Sequence, residues 1–137
     1  MTEGYEIRPA REQDEPKISA LVKTKPEKLL QEIPAWQDFF VAVTKDGKVI
    51  GCAALQVSDK KEGAELRSVV VAEGHNCGVM VGSRLVRACI QKGKDMGLGQ
   101  IKARTDEPRY FRRFGFLEVE TTTKDKVGKT LMICKFQ

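Results

Sequence analysis

No apolar run in this 137-residue chain is long enough to cross a bilayer; the longest are broken by Lys, Asp or Gly within ten residues. The first residues, Met1-Thr-Glu-Gly-Tyr-Glu, are acidic and lack the basic-then-apolar layout of a signal peptide. Both absences argue against a membrane partner and make a cytoplasmic setting the expectation. Histidine occurs once, at His75, and the four cysteines (Cys52, Cys77, Cys89 and Cys134) include no C-x-x-C pair, so no metal site is expected. Cys52, Cys89 and Cys134 sit in apolar stretches, as buried thiols do. Repeats and low-complexity segments are missing too. Aromatic residues make up only 7%, and Tyr5, Trp36 and most Phe lie in apolar context instead of interleaving with a basic cluster. That pattern argues against a nucleic-acid partner.

What is present suits one compact domain spanning residues 1–137. The chain carries 24 basic and 19 acidic residues, a net charge of +5, which favours an anionic partner without naming it. Tyr5-Glu-Ile-Arg-Pro reads as a short strand. Asp14 then offers an N-cap, Pro16 fits a first turn, and Ile18, Leu21 and Val22 give a helix one apolar side. Thr24 with Glu27 three residues on forms a capping box for a second helix, lined by Leu29, Leu30 and Ile33 and stopped at Pro34. Phe39–Val43, Lys48–Val57 and Ala64–Val71 follow as a meander, with Asp46-Gly47 as a hairpin turn. His75 to Ser83 reads as a loop feeding a helix whose apolar positions are Val81, Leu85, Val86, Cys89, Ile90 and Met96, ended by Gly97 or Gly99. Gln100–Thr105 is a strand, Pro108–Arg113 a short helix, and strands at Gly115–Glu120 and Thr130–Phe136 close the chain. The order is β-α-α-β-β-β-α-β-α-β-β, an α+β class with a mixed, mostly antiparallel sheet flanked by helices.

The junction from Val69-Val-Val to Gly82-Ser83 is a strand, a glycine-containing loop and a helix N-terminus. Free N–H groups and the helix dipole favour a phosphate there, although glycine at such junctions also serves turn geometry alone. Three features resemble the GNAT (N-acetyltransferase) superfamily: the element order, the strand Ala64-Glu-Leu-Arg-Ser-Val-Val-Val, and Tyr110-Phe-Arg-Arg-Phe-Gly-Phe, similar to an aromatic-x-x-x-Gly-Phe ending. Phe39–Val43, Lys48–Leu55, Glu65–Val71 and Thr105 six residues before Phe111 most resemble the acetyltransferase domains of N-acetylglutamate synthases.

The resemblance implies a GNAT-like fold and an acetyl-CoA-dependent N-acetyltransferase acting on a primary amine of a small molecule, such as the amino acid glutamate. The alternative is a non-catalytic acyl-CoA-binding module that regulates a protein partner. Self-association as a homodimer is compatible with either. Acetyl-CoA would lie between two splayed strands, with Val69, Val70 and Val71 bonding its pantetheine arm and a backbone N–H near Val70 or Val71 polarising the thioester carbonyl. Its pyrophosphate would rest on the amides of Cys77, Gly78, Val79, Met80, Val81, Gly82 and Ser83. Arg84 and Arg112 would meet other phosphates or simply face solvent. Two departures stand out: Met80 occupies the place of the family's middle glycine, and Phe111 that of its acid tyrosine. A Met at that point would crowd the pyrophosphate. The loop is also one residue longer than is usual in the family, which a bulge in the preceding strand would absorb. Under this reading Glu65 is the candidate base, or else a solvated charge, and Arg67, Lys102 or Arg104 would pair with an acceptor carboxylate.

Overall fold

Alternating apolar residues build the sheet. In the computed structural model, which describes residues 4–25, 32–59, 63–74, 78–119 and 129–136, Tyr5–Pro9 (β1), Phe39–Thr44 (β2), Val49–Asp59 (β3), Gly63–Val71 (β4), Gln100–Thr105 (β5), Leu117–Glu118 (β6) and Thr130–Lys135 (β7) form one sheet. The spatial order is β1-β2-β3-β4-β5-β7-β6. Among the described strands only the β4–β5 pairing is parallel. The described helices are Glu15–Val22 (α1), Gly78–Asp95 (α2) and Pro108–Arg112 (α3). The expected second helix, with its Thr24–Glu27 capping box, falls mainly outside the described residues. The Thr24 hydroxyl itself donates to the Leu21 carbonyl at 2.7 Å, closing the end of α1.

Strand alternation splits the core in two. Phe39, Val41 and Val43 pack with Ile18, Leu21 and Val22 of α1. Ala42, Ala53 and Leu55 pack with Val81, Leu85, Val86 and Cys89 of α2. Burial pushes the Cys89 thiol up to about 12, so it behaves as an apolar filler. Met96, expected on the same stripe, is instead 48% exposed, because α2 stops at Asp95. Gly97, at φ +76°, ends it: Leu98 N–H donates to the Gly93 carbonyl and Gly97 N–H to that of Lys94.

The same device explains the Gly-Phe pair. Gly115 (φ +94°) follows α3, and the Phe116 and Gly115 N–H groups donate to the carbonyls of Phe111 and Arg112. Phe116 is fully buried, its ring edge-on to that of Phe111 at 5.6 Å. This turn takes up Gly115 and Phe116, so β6 is shorter than the expected Gly115–Glu120 strand.

Asp14 does not cap α1 in the expected way. Its own backbone is helical (φ −79°, ψ −15°), and a 3-10 turn at Glu12–Asp14 precedes it. The carboxylate turns back to accept the Arg11 N–H at 2.8 Å and two Arg8 N–H bonds at 2.7 and 3.2 Å. A guanidinium on the neighbouring strand outcompetes the helix amides because the bond is charge-assisted and bidentate. These bonds hold the Asp14 carboxyl below its ordinary range. Its contribution to stability is therefore complete above the unfolded carboxylate value of about 4 and is lost as pH falls through the lower folded value. Asp14→Ala is expected to cost about 3 kcal/mol at pH 7, with the deficit shrinking as pH falls below the unfolded carboxylate value, in urea unfolding at neutral and at acid pH.

Candidate active site where two strands part

β4 and β5 pair only at Ala64–Ile101, Glu65–Lys102 and Leu66–Ala103. Beyond Leu66 they splay, as expected, and among the described residues the β4 edge that faces β5 has no strand partner. Between Ala54–Arg67 and Cys52–Val70 the β3–β4 register shifts, which places a bulge at Ser68 and Val69. Ser68 has φ +55°, a left-handed conformation that costs a non-glycine residue about 1 kcal/mol. The Cys52 thiol on β3 donates to its carbonyl at 3.5 Å. This is the bulge that the long loop called for. It also shifts the phase of alternation: Ala64 and Leu66 face α2 before it, Val69 and Val71 after it, while Val70 joins the α1 side.

The stretch read as a loop is partly helix. α2 starts at Gly78, so Gly78, Val79 and Met80 form its first turn, where N–H groups have no partner within the helix. Val81, Gly82 and Ser83 come later, and their N–H groups are positioned for bonds inside the helix. Cys77 and His75 lie outside the described residues. The Met80 side chain is 54% exposed. Gly82 is buried, and a Cβ there would stand 3.0 Å from the Tyr110 hydroxyl and 3.6 Å from Val71 Cγ2. Tyr110 is hydrogen-bonded to Ser83, and burial raises its pKa above the usual phenol value. Its ring sits edge-on to Phe111 at 5.1 Å and Phe114 at 5.3 Å, with the Arg113 guanidinium 5.6 Å from its centroid.

Glu65 and Arg67, on the α1 side of β4, share that sheet face with Lys102 and Arg104 of β5. Glu65 and Lys102 are register partners, and Arg104 Nε lies 3.9 Å from the Glu65 carboxylate. Arg67 is held by the Gln56 side chain at 2.6 Å and the Glu32 carbonyl at 2.8 Å, which leaves three of its five N–H donors. Gln56 and Glu32 went unnoticed in the sequence; alternation from Ala54 to Gln56 was the available clue for the first. The two outlying arginines are engaged elsewhere. Arg84 stacks over Tyr5 of edge strand β1 at 5.4 Å, and Arg112 pairs with Glu118.

The family model described as Acetyltransferase (GNAT) family matches residues 6–116. The chain belongs to the GNAT acetyltransferase family. Among GNAT relatives, an amino-acid acetyltransferase of Mycobacterium tuberculosis is 38% identical over 127 residues, covering 85% of this chain and 70% of that protein. An amino-acid acetyltransferase of Vibrio vulnificus is 31% identical over 126 residues, and the match spans 91% of this chain but only 26% of that protein. A Mycobacterium tuberculosis structure in complex with CoA and NLQ superposes with a TM-score of 0.83 at 28% identity, covering 96% of this chain and 99% of that one.

Proposed function

We propose that this GNAT domain moves an acetyl group from acetyl-CoA to the amino group of an amino acid, by direct attack within a ternary complex. The observation that carries the reading is the cluster of Glu65, Arg67, Lys102 and Arg104 on one sheet face at the mouth of the β4–β5 splay. The donor fits these residues: an unpaired β4 edge offers backbone bonds to an extended amide arm, and the first turn of α2 offers N–H groups to a diphosphate. When bound, acetyl-CoA supplies an acyl thioester open to an amine. The β4 main chain near Val70 and Val71 orients the carbonyl and stabilises negative charge on its oxygen. Glu65 takes the ammonium proton through a water molecule, because the protonated amine has no lone pair. Lys102, Arg104 and the remaining Arg67 donors hold the acceptor carboxylate.

With Phe111 in place of a tyrosine, no hydroxyl is available at that position to protonate the departing thiolate, and water takes the role. Relatives named amino-acid acetyltransferase speak for catalysis over a non-catalytic module. Three buried cysteines, Cys52, Cys89 and Cys134, suit a reducing, cytoplasmic setting. The test is calorimetry with acetyl-CoA and desulfo-CoA, followed by thiol release with amino acids, polyamines and peptides. Expected are binding of both coenzyme forms and thiol release with amino acids alone. Binding without release for any acceptor would sink the catalytic reading.

A further inference from the structure

The sheet stops setting the distance between β4 and β5 beyond Leu66 and Ala103, yet a cleft must have a definite width to grip a ligand. Each strand leads into a helix, β4 into α2 and β5 into α3. A hydrogen bond joins those helices directly across the gap. The Tyr110 phenol reaches from α3 to α2, bonds Ser83, and lies 3.0 Å from the space a Cβ at Gly82 would fill. At that spacing a methyl group fits only if the hydroxyl gives way by a few tenths of an ångström. Tyr110 has little room to retreat, because Phe111 and Phe114 press edge-on against its ring. Gly82 also sits one helical turn after Gly78, so a shift of the helix at 82 moves the first-turn amides with it.

We propose that Tyr110 is a positioning residue that sets the width of the splay, and that position 82 is glycine to admit its hydroxyl, not to let a diphosphate approach. This goes beyond the acetyltransferase reading and rests on it only for the ligand used in the assay. An explanation through the cofactor and one through the tyrosine predict opposite results in a double mutant. Gly82→Ala should raise KM for acetyl-CoA about 10-fold with kcat within about 2-fold, since the chemical groups stay in place while the cradle moves. Tyr110→Phe and Ser83→Ala should each raise KM about 3-fold, and together no more than either alone, because they break one bond. Gly82→Ala combined with Tyr110→Phe should return KM to the Tyr110→Phe value, as the methyl then takes the space the hydroxyl has left.

Thermal melting of the same five variants gives a readout that needs no ligand. Alanine is the better helix former, so a lower Tm for Gly82→Ala that Tyr110→Phe restores reports the clash itself. KM penalties that multiply and Tm losses that add in the double mutant, or no effect of Gly82→Ala on either, would overturn the proposal. If wild-type protein binds no acetyl-CoA, the functional reading falls, while the melting series still decides the fate of the Tyr110 contact.

Discussion

Glu65→Gln should lower kcat for amino-acid acetylation about 100-fold at neutral pH while leaving KM for acetyl-CoA within about 2-fold. The carboxylate is the acidic member of the four-residue cluster; the other three, Arg67, Lys102 and Arg104, are cations unsuited to accept a proton at that pH. Glutamine keeps the size and one carbonyl oxygen but accepts no proton, so the loss falls on the deprotonated amine and not on coenzyme binding. Raising the pH then restores part of the rate, because more of the acceptor amine is already neutral. A steady-state pH–rate series with both proteins is the check. Equal rates for Glu65→Gln and wild type across that series would remove Glu65 from the mechanism and return it to an ion-pair role with Arg104. Lys102→Ala and Arg104→Ala belong to the same experiment as controls, since they should act mainly on KM for the amino acid.

The largest stability effect is expected at Phe116. Its side chain is fully buried in the α2-side core, and its N–H closes the turn after α3. Phe116→Ala removes the ring, leaves a cavity beside Phe111, and should destabilise the domain by about 3–5 kcal/mol in denaturant titrations. The loss would reach the site as well, because the Phe111–Phe116 contact seats α3 and thereby Tyr110. Phe116→Leu, which keeps most of the apolar volume, should recover more than half of that loss. A cost below about 1 kcal/mol for Phe116→Ala would show that the turn, and not the ring, holds α3 in place.

The aromatic-x-x-x-Gly-Phe pattern thus has a physical content of its own. Gly115 supplies the left-handed residue, Phe116 the buried anchor, and Phe111 both the carbonyl that accepts the Phe116 N–H and the ring that meets it. Position 111 is constrained by this turn whether or not it carries a hydroxyl. The same logic holds at Gly82, where the nearest obstacle to a side chain is another part of the protein, Tyr110.

Local chemistry determined a good deal. Period-two apolar stretches located the strands, and β5 at Gln100–Thr105 follows its sequence pattern residue for residue. Period-3.6 spacing picked out Val81, Leu85, Val86 and Cys89 as the buried side of α2. The length of the loop before α2 called for a bulge, and strand alternation put Glu65 and Arg67 on one face. Each of these depends on neighbours in the chain, so the sequence carries it directly. Tertiary structure decided the rest. The Asp14 carboxylate left the helix end for Arg8, because a guanidinium brought close by folding is the stronger donor. Ser68 took the bulge, and Lys102 and Arg104 joined Glu65 across a parallel pairing that links segments some forty residues apart. Tyr110 met Gly82 and Ser83 only because two diverging strands set their helices side by side. The cross-strand and helix-to-helix contacts depend on distances between remote segments, and no local pattern of residues encodes those distances.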